Sequence, residues 1–417
     1  MEIFMEEKQQ EKAAKVVLVS CDTYEEETVY RAMKAGLDAL GGVRAFVKPE
    51  EKILVKPNFV LASPPEAAAT THPSVLKGMF RLLQEAGCTQ VLYGDSPGHG
   101  SCTAAAGKLG MEKEETIYGA HQTSMSEEVK VSFPDGMTAT EFYFAKEVLE
   151  TDAIINLCKM KTHALERVTG AVKNLYGLIC GYRKAAGHVA YPNATVFARM
   201  LVDIHRYTKP RLHIMDGIVA MEGNGPGSGD PTPMNVLLFS ADPVALDTVF
   251  SELVYLNPEA VPTNTQGAVM GLGTDDPEQI EIRLVRPEDG TAELLDVSQL
   301  QQRFGNPNFN VDRAGTRMNW LKRFSETMTA IAKRPHIDPD KCIKCGICVE
   351  HCPVPGKAVS FQNGKQNPPV YDYTKCIRCY CCQEMCPRSA IRPTGIFHSM
   401  RLNHRACKEQ RKNGKEK

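Results

Sequence analysis

The chain has 417 residues, a formal net charge of −1 and 42% hydrophobic residues. That length is more than one small core needs, and a near-neutral balance provides no global field to draw nucleic acid. No run of about 18 apolar residues occurs, so no bilayer span is expected. The acidic opening Met1-Glu2-Ile3-Phe4-Met5-Glu6-Glu7 lacks a basic stretch followed by an apolar one, which argues against a signal peptide.

Taken in order, apolar runs alternate with helical periodicity. Val17-Leu18-Val19-Ser20 predicts a strand and Thr28 to Leu40 a helix stopped by Gly41-Gly42. Ile53-Leu54-Val55 and Gln90 to Tyr93 predict strands flanking a helix from Pro73 to Ala86, with proline near its start and Gly87 past its end. A further helix is expected over Ala104 to Leu109. Strand Ala153 to Leu157, helix Val168 to Leu178, helix Ala198 to Tyr207, strand Leu212 to Met215, strand Val236 to Phe239 and helix Pro243 to Tyr255 follow. This alternation predicts an α/β domain over 13–305, a mostly parallel sheet with helices on both faces.

A linker over 306–335 comes next. Leu321, Phe324, Met328 and Ile331 form one apolar stripe in it, read as a helix docking the two domains in preference to a membrane-surface helix. Residues 336–395 hold the densest signal. Cys342-x2-Cys345-x2-Cys348-x3-Cys352-Pro353 is followed by Cys376-x2-Cys379-x2-Cys382-x3-Cys386-Pro387. This is the spacing of bacterial two-cluster ferredoxins, a small α+β fold in which each fourth cysteine serves the other cluster. The expected ligands are Cys342, Cys345, Cys348 and Cys386 for one 4Fe-4S cluster, with Cys376, Cys379, Cys382 and Cys352 for the second. Zinc knuckles space their ligands in two distant pairs, and a disulfide framework suits a secreted chain. Cys381 breaks the spacing and reads as a spectator. Of the fifteen cysteines, eight stand in cluster spacing, which implies a reducing, oxygen-poor cytoplasm. The end of the chain, 396–417, is a basic tail, expected to be solvated.

Ligands of open α/β sheets gather at the carboxyl ends of the strands. The residues there are Lys56 and Asn58, Asp95 and Ser96, the run Lys159-Met160-Lys161-Thr162-His163, and Asp216. Period two places Lys159, Lys161 and His163 on one strand face, an anion site to which Lys56, Lys173 and Asn174 contribute. Thr169-Gly170-Ala171 offers either backbone N–H groups to an anion or close helix packing. His72, His163, His188 and Asp95 are the candidate proton carriers, the histidines because they titrate near neutrality; His72 and His188 alternatively read as cap or loop residues. The run Glu222 to Asp230 lacks the strand–turn–helix context of a dinucleotide fingerprint and reads as a mobile loop over the pocket. Asp216 could serve a metal or a substrate hydroxyl.

Several phrases together resemble the family called domain of unknown function 362. They are Val55-Lys56-Pro57-Asn58, Thr71-His72-Pro73, Gly94-Asp95-Ser96-Pro97-Gly98, Asn156 to His163, Thr169 to Gly177, Met215-Asp216-Gly217, the glycine run and Ser240 to Asp247. The resemblance covers most of 15–250 and implies a C-terminal two-cluster segment, but brings no catalytic residues. The expected function is an iron–sulfur oxidoreductase. It would exchange single electrons with a soluble ferredoxin- or flavodoxin-type partner and bind an anionic small molecule; whether a flavin or further metal binds is open. A ferredoxin-type carrier whose α/β domain docks a partner enzyme is the alternative, and a redox sensor the third reading.

Overall fold

The computed structural model describes residues 14–111, 116–181, 183–313, 333–362 and 364–395. The apolar stripe of 313–333 and the tail 396–417 lie almost wholly outside them. Strands β1 (Ala14–Ser20), β2 (Lys52–Lys56), β3 (Gln90–Tyr93) and β4 (Ala120–Gln122) come first in the chain. A separate hairpin follows, β5 (Glu128–Ser132) with β6 (Glu141–Ala145). Then come β7 (Ala153–His163), β8 (Arg167–Thr169), β9 (Leu212–Glu222), β10 (Asp230–Ser240), β11 (Ile280–Val285) and β12 (Ala292–Leu295).

Ten of these strands form one sheet in the order β12-β11-β1-β10-β9-β7-β2-β3-β4, with β8 pairing off β7. It is parallel from β9 to β4 and between β1 and β11, and antiparallel where β10 and the edge strands β8 and β12 join. The pleat explains why the strands read as continuous apolar runs. Along β1, Val17 and Val19 enter one core while Val16 and Leu18 enter the core on the opposite face. β2 repeats this, with Ile53 and Val55 on one side and Leu54 on the other.

Helix starts follow their capping residues. Asn193 accepts from Val196 N at the head of Ala194–Thr208, and Asp242 accepts from Val244 N and Ala245 N before Pro243. One expected helix is replaced. Residues 167–178 form β8, a single turn Ala171–Asn174 and a 3-10 turn Leu175–Leu178. Val168 is taken into pairing with β7, and Gly170 departs from helical backbone at φ −134° and ψ −134°. β7 and β9 run beyond their expected ends at 157 and 215, and Lys159 and Asp216, just past those ends, pair with each other.

The cysteine-rich segment is a small duplicated unit. Arg334–Ile337 pairs with Ile391–Thr394, and Val359–Ser360 with Val370–Tyr371, each antiparallel. Two single-turn helices, Ile347–Glu350 and Cys381–Glu384, place Cys348 and Cys382 against a core that includes Ile337, Val359 and Ile391.

Candidate functional site at the domain joint

A cavity of about 250 Å³ lies where the carboxyl ends of β2, β3 and β7 meet the cysteine-rich segment. The sheet side contributes Asn58, Asp95, Ser96, Lys161, His163, Lys173, Asn174 and His188, and the other side His351, Cys381, Glu384 and Met385. Next to Lys161 the β7–β9 register shifts, with the extra residues on β9.

The anticipated residues divide. Lys161 Nζ donates to Asn58 Oδ1 at 2.6 Å and Ala69 O at 2.8 Å, and Asn58 Nδ2 donates to Asn174 Oδ1 at 2.8 Å. Burial, with Lys159 and Lys173 nearby, pushes Lys161 down to about 7. Ser96 Oγ accepts from Gly181 N at 3.1 Å. Lys56 is fully buried and paired with Asp95 at 3.0 Å, so its charge is already answered. Gly177 permits that pairing: a Cβ there would stand 1.9 Å from Asp95 Oδ1.

Lys159 and Asp216 do not join the cavity lining. Lys159 Nζ lies 2.7 Å from Asp216 Oδ2, and Tyr24 OH donates to Asp216 Oδ1 at 2.8 Å while accepting from Lys159. Asp216 also accepts from His72 N at 3.0 Å, which satisfies it without metal or substrate. His72 is a helix cap, its Nδ1 accepting from Ser74 N at 3.2 Å. Burial lowers His72 to about 4 and His188 to about 3, so neither is an imidazolium at neutral pH. The N–H groups of Ala171 and Val172 are likewise taken, donating to Asp247 at 2.6 and 3.0 Å. A Cβ on Gly170 would sit 2.0 Å from that carboxylate, so this glycine serves close packing.

His163 Nδ1 accepts from Leu165 N and Glu166 N, both at 3.1 Å, which leaves the proton on Nε2. That nitrogen faces Glu384 Oε1 at 3.1 Å, off the line of a good hydrogen bond. Burial, with Lys173 next, holds His163 below its ordinary range. Burial opposes charge on Glu384, but His163 and Lys173 outweigh it and hold the carboxyl down to about 2.

Sequence reasoning missed Lys184 and Glu384. Lys184 Nζ turns to the carbonyls of Ser96 and Pro97, and burial lowers it to about 8. Glu384 sat unread as a spacer between Cys382 and Cys386; Cys381, read as a spectator, is buried and lines the cavity. The glycine run, expected to be mobile, is the β9–β10 connection and is fastened to the cysteine-rich segment. Gln383 Nε2 donates to Asn224 O, Asn224 Oδ1 and Gly225 O at 2.9, 3.1 and 2.9 Å, and Asn224 Nδ2 donates to Ile391 O at 3.0 Å. It does stand over the cavity, through Pro226.

Cys342, Cys345, Cys348 and Cys386 ring a small space of about 20 Å³. Burial and the facing thiols of Cys342, Cys386 and Cys345 push Cys348 up to about 12. Burial also raises Cys376, whose thiol neighbours are Cys379 and Cys352. Ala358 N donates to Cys352 Sγ and Ala390 N to Cys386 Sγ, both at 3.3 Å, a matched pair of the kind that steadies cluster sulfurs. Among the described residues no three His, Cys, Asp or Glu side chains close on a point as one ion requires. A mononuclear site draws thiolates to about 2.3 Å from its centre. Thiols around a space fit instead a polynuclear group with a thiolate at each corner.

Residues 53–252 match the family described as domain of unknown function (DUF362), and residues 334–387 match a 4Fe-4S dicluster domain. A thylakoid-associated protein of Synechocystis is 35% identical over 264 residues, 62% of this chain and 79% of that protein. Among solved structures, the lactate racemase apoprotein of Thermoanaerobacterium thermosaccharolyticum aligns at 13% identity and TM-score 0.35, over 54% of each chain. A structural-genomics protein of Thermotoga maritima aligns at 16% identity and TM-score 0.33, over 54% of this chain and 57% of that one. The chain thus spans little more than half the length of these two structures. No helix among the described residues is long and apolar enough to cross a membrane.

Proposed function

The chain belongs to the domain of unknown function 362 family and carries a 4Fe-4S dicluster domain, and from that premise we propose an iron–sulfur oxidoreductase. It exchanges single electrons with a soluble ferredoxin- or flavodoxin-type partner and acts on an anionic small molecule held at the domain joint. The observation that carries the reading is the shared cavity, where Cys381, Glu384 and Met385 face Lys161, Lys173 and Lys184. Two 4Fe-4S clusters, when bound, supply one-electron transfer within about −700 to +450 mV. Cys342, Cys345, Cys348 and Cys386 hold one of them, and Cys376, Cys379, Cys382 and Cys352 the other. Lys161, Lys173, Asn58 and Asn174 bind the anion, and His163 with Glu384 keeps a proton at Nε2 beside it. Lys56 and Asp95 set the cavity floor, and Lys159 with Asp216 braces the strands beneath. A reducing cytoplasm suits these thiols, all free among the described residues.

The test is an anaerobic preparation analysed for iron and sulfide, then reduced in the presence of candidate anions. Coloured, iron-rich protein whose reoxidation an anion accelerates supports the reading; colourless or zinc-loaded protein defeats it. A carrier that docks on a partner enzyme is the second reading, favoured by Ile343, 57% exposed beside Cys342 and Cys345. Turnover without any partner enzyme decides against it.

A further inference from the structure

Three lysines meet in the joint cavity without carboxylates of their own. Lys161 bonds neutral atoms, Asn58 Oδ1 and Ala69 O, and Lys184 bonds backbone carbonyls. Lys173 lies over the rings of Tyr176 and Phe197, at 5.2 and 5.5 Å, and makes no ion pair among the described residues. The acids nearby do not balance them. Asp95 is committed to Lys56. Glu166 is buried with neither oxygen bonded and makes no ion pair among the described residues, and burial pushes its carboxyl up against the pull of Lys173. Glu384 is the one carboxylate left facing Lys173, Lys184 and Lys161, and burial holds the facing His163 toward its neutral form while making protons easier to lose from Lys161 and Lys184. Positive charge unanswered in a mostly desolvated space is costly until a counter-ion enters.

We propose that this cavity binds a small dianion, a dicarboxylate or a phosphate monoester, with Lys173 as its principal partner and Lys161 and Lys184 assisting. An entering anion favours the protonated forms of Lys161 and Lys184, and a dianion answers more of that charge than a monoanion. The volume of about 250 Å³ lies below the roughly 300–1,000 Å³ of sites for drug-sized ligands, which favours a compact acid. The inference rests on the reading of this cavity as the site of the anionic substrate.

Anaerobic full-length protein is titrated calorimetrically with succinate, methyl phosphate and acetate at pH 7.5, with iron and sulfide measured on the same samples. At least one dianion is expected to bind about tenfold or more tighter than acetate. Lys173→Gln is expected to abolish that margin, and Lys184→Gln to reduce it, with iron content and thermal midpoint retained. Preference for succinate assigns a dicarboxylate, and preference for methyl phosphate a phosphoryl group. Equal binding of acetate, or no binding at all, overturns the proposal. So does a Lys173→Gln variant that keeps the margin while its reduction potential shifts, since the lysines then balance the iron–sulfur group. Protein that binds dianions but lacks iron leaves the anion site standing and sinks the electron-transfer reading alone.

Discussion

His163 Nε2 and Glu384 Oε1 stand 3.1 Å apart across the joint, one at the end of β7 and the other between two cysteines of the second block. This contact ties the geometry of the anion cavity to that of the thiols. Replacing Glu384 by Ala removes the buried carboxylate that faces His163 Nε2 and is held by His163 and Lys173, at an expected cost of about 1–3 kcal/mol. Urea unfolding reads that loss, and iron content is expected to hold because no thiolate is touched. Iron lost in proportion to stability would show that Glu384 serves the metal group instead.

Gln383 fastens the glycine run by directing its two amide N–H groups at three acceptors, one of them shared. Gln383→Leu strands those buried acceptors and is expected to cost about 1–3 kcal/mol. Limited proteolysis should then cut within 223–229 faster than in the parent. Unchanged cleavage there refutes the clamp.

The crossed arrangement of the thiols predicts which iron signal each substitution removes. Cys352→Ala lies in the first block but should remove the group held by Cys376, Cys379 and Cys382. Roughly half of about eight irons should remain. Electron paramagnetic resonance should show the surviving signal shared with Cys376→Ala and absent from Cys342→Ala. A Cys352→Ala spectrum that matches Cys342→Ala contradicts the crossing.

Lys56 and Asp95 form a buried pair at 3.0 Å. Lys56→Met leaves the carboxylate uncompensated, with an expected loss of about 3–5 kcal/mol. Gly177→Ala presses a Cβ against both partners and should destabilise through the same contact. Denaturation of the two single variants and the double variant tests this, since neighbours sharing one contact should fall well short of additivity.

Lys161 makes stability and ligand affinity depend on pH. Its folded value is depressed from 10.5 to about 7 by burial first, then by Lys159 and Lys173, against Glu384 and Asp95. Between about pH 7 and 10.5 the unfolded chain therefore binds the extra proton, so this group's penalty shrinks as pH rises. Below pH 7 the penalty is full, on the order of a few kcal/mol. Lys161→Met should be more stable than the parent at pH 6.5, and the gap should close toward pH 10. Dianion affinity should move oppositely, falling above pH 7 as Lys161 loses its proton. A gap independent of pH removes Lys161 from this role.

The thiol blocks were legible as text because cluster ligation is local: three ligands lie within seven residues, and a tight loop must present them together. The sheet was legible for a similar reason, since alternate residues of β1 and β2 enter opposite cores and leave unbroken apolar runs. What the lysines do was decided only by tertiary pairing. Lys56, Lys159, Lys161 and Lys173 look alike in sequence, yet Asp95 and Asp216 arrive from other strands to neutralise the first two. The arrival of Glu384 from the far end of the chain then adds the one carboxylate that faces the cavity lysines. Charge compensation depends on distance in space, and spacing along the chain does not encode it.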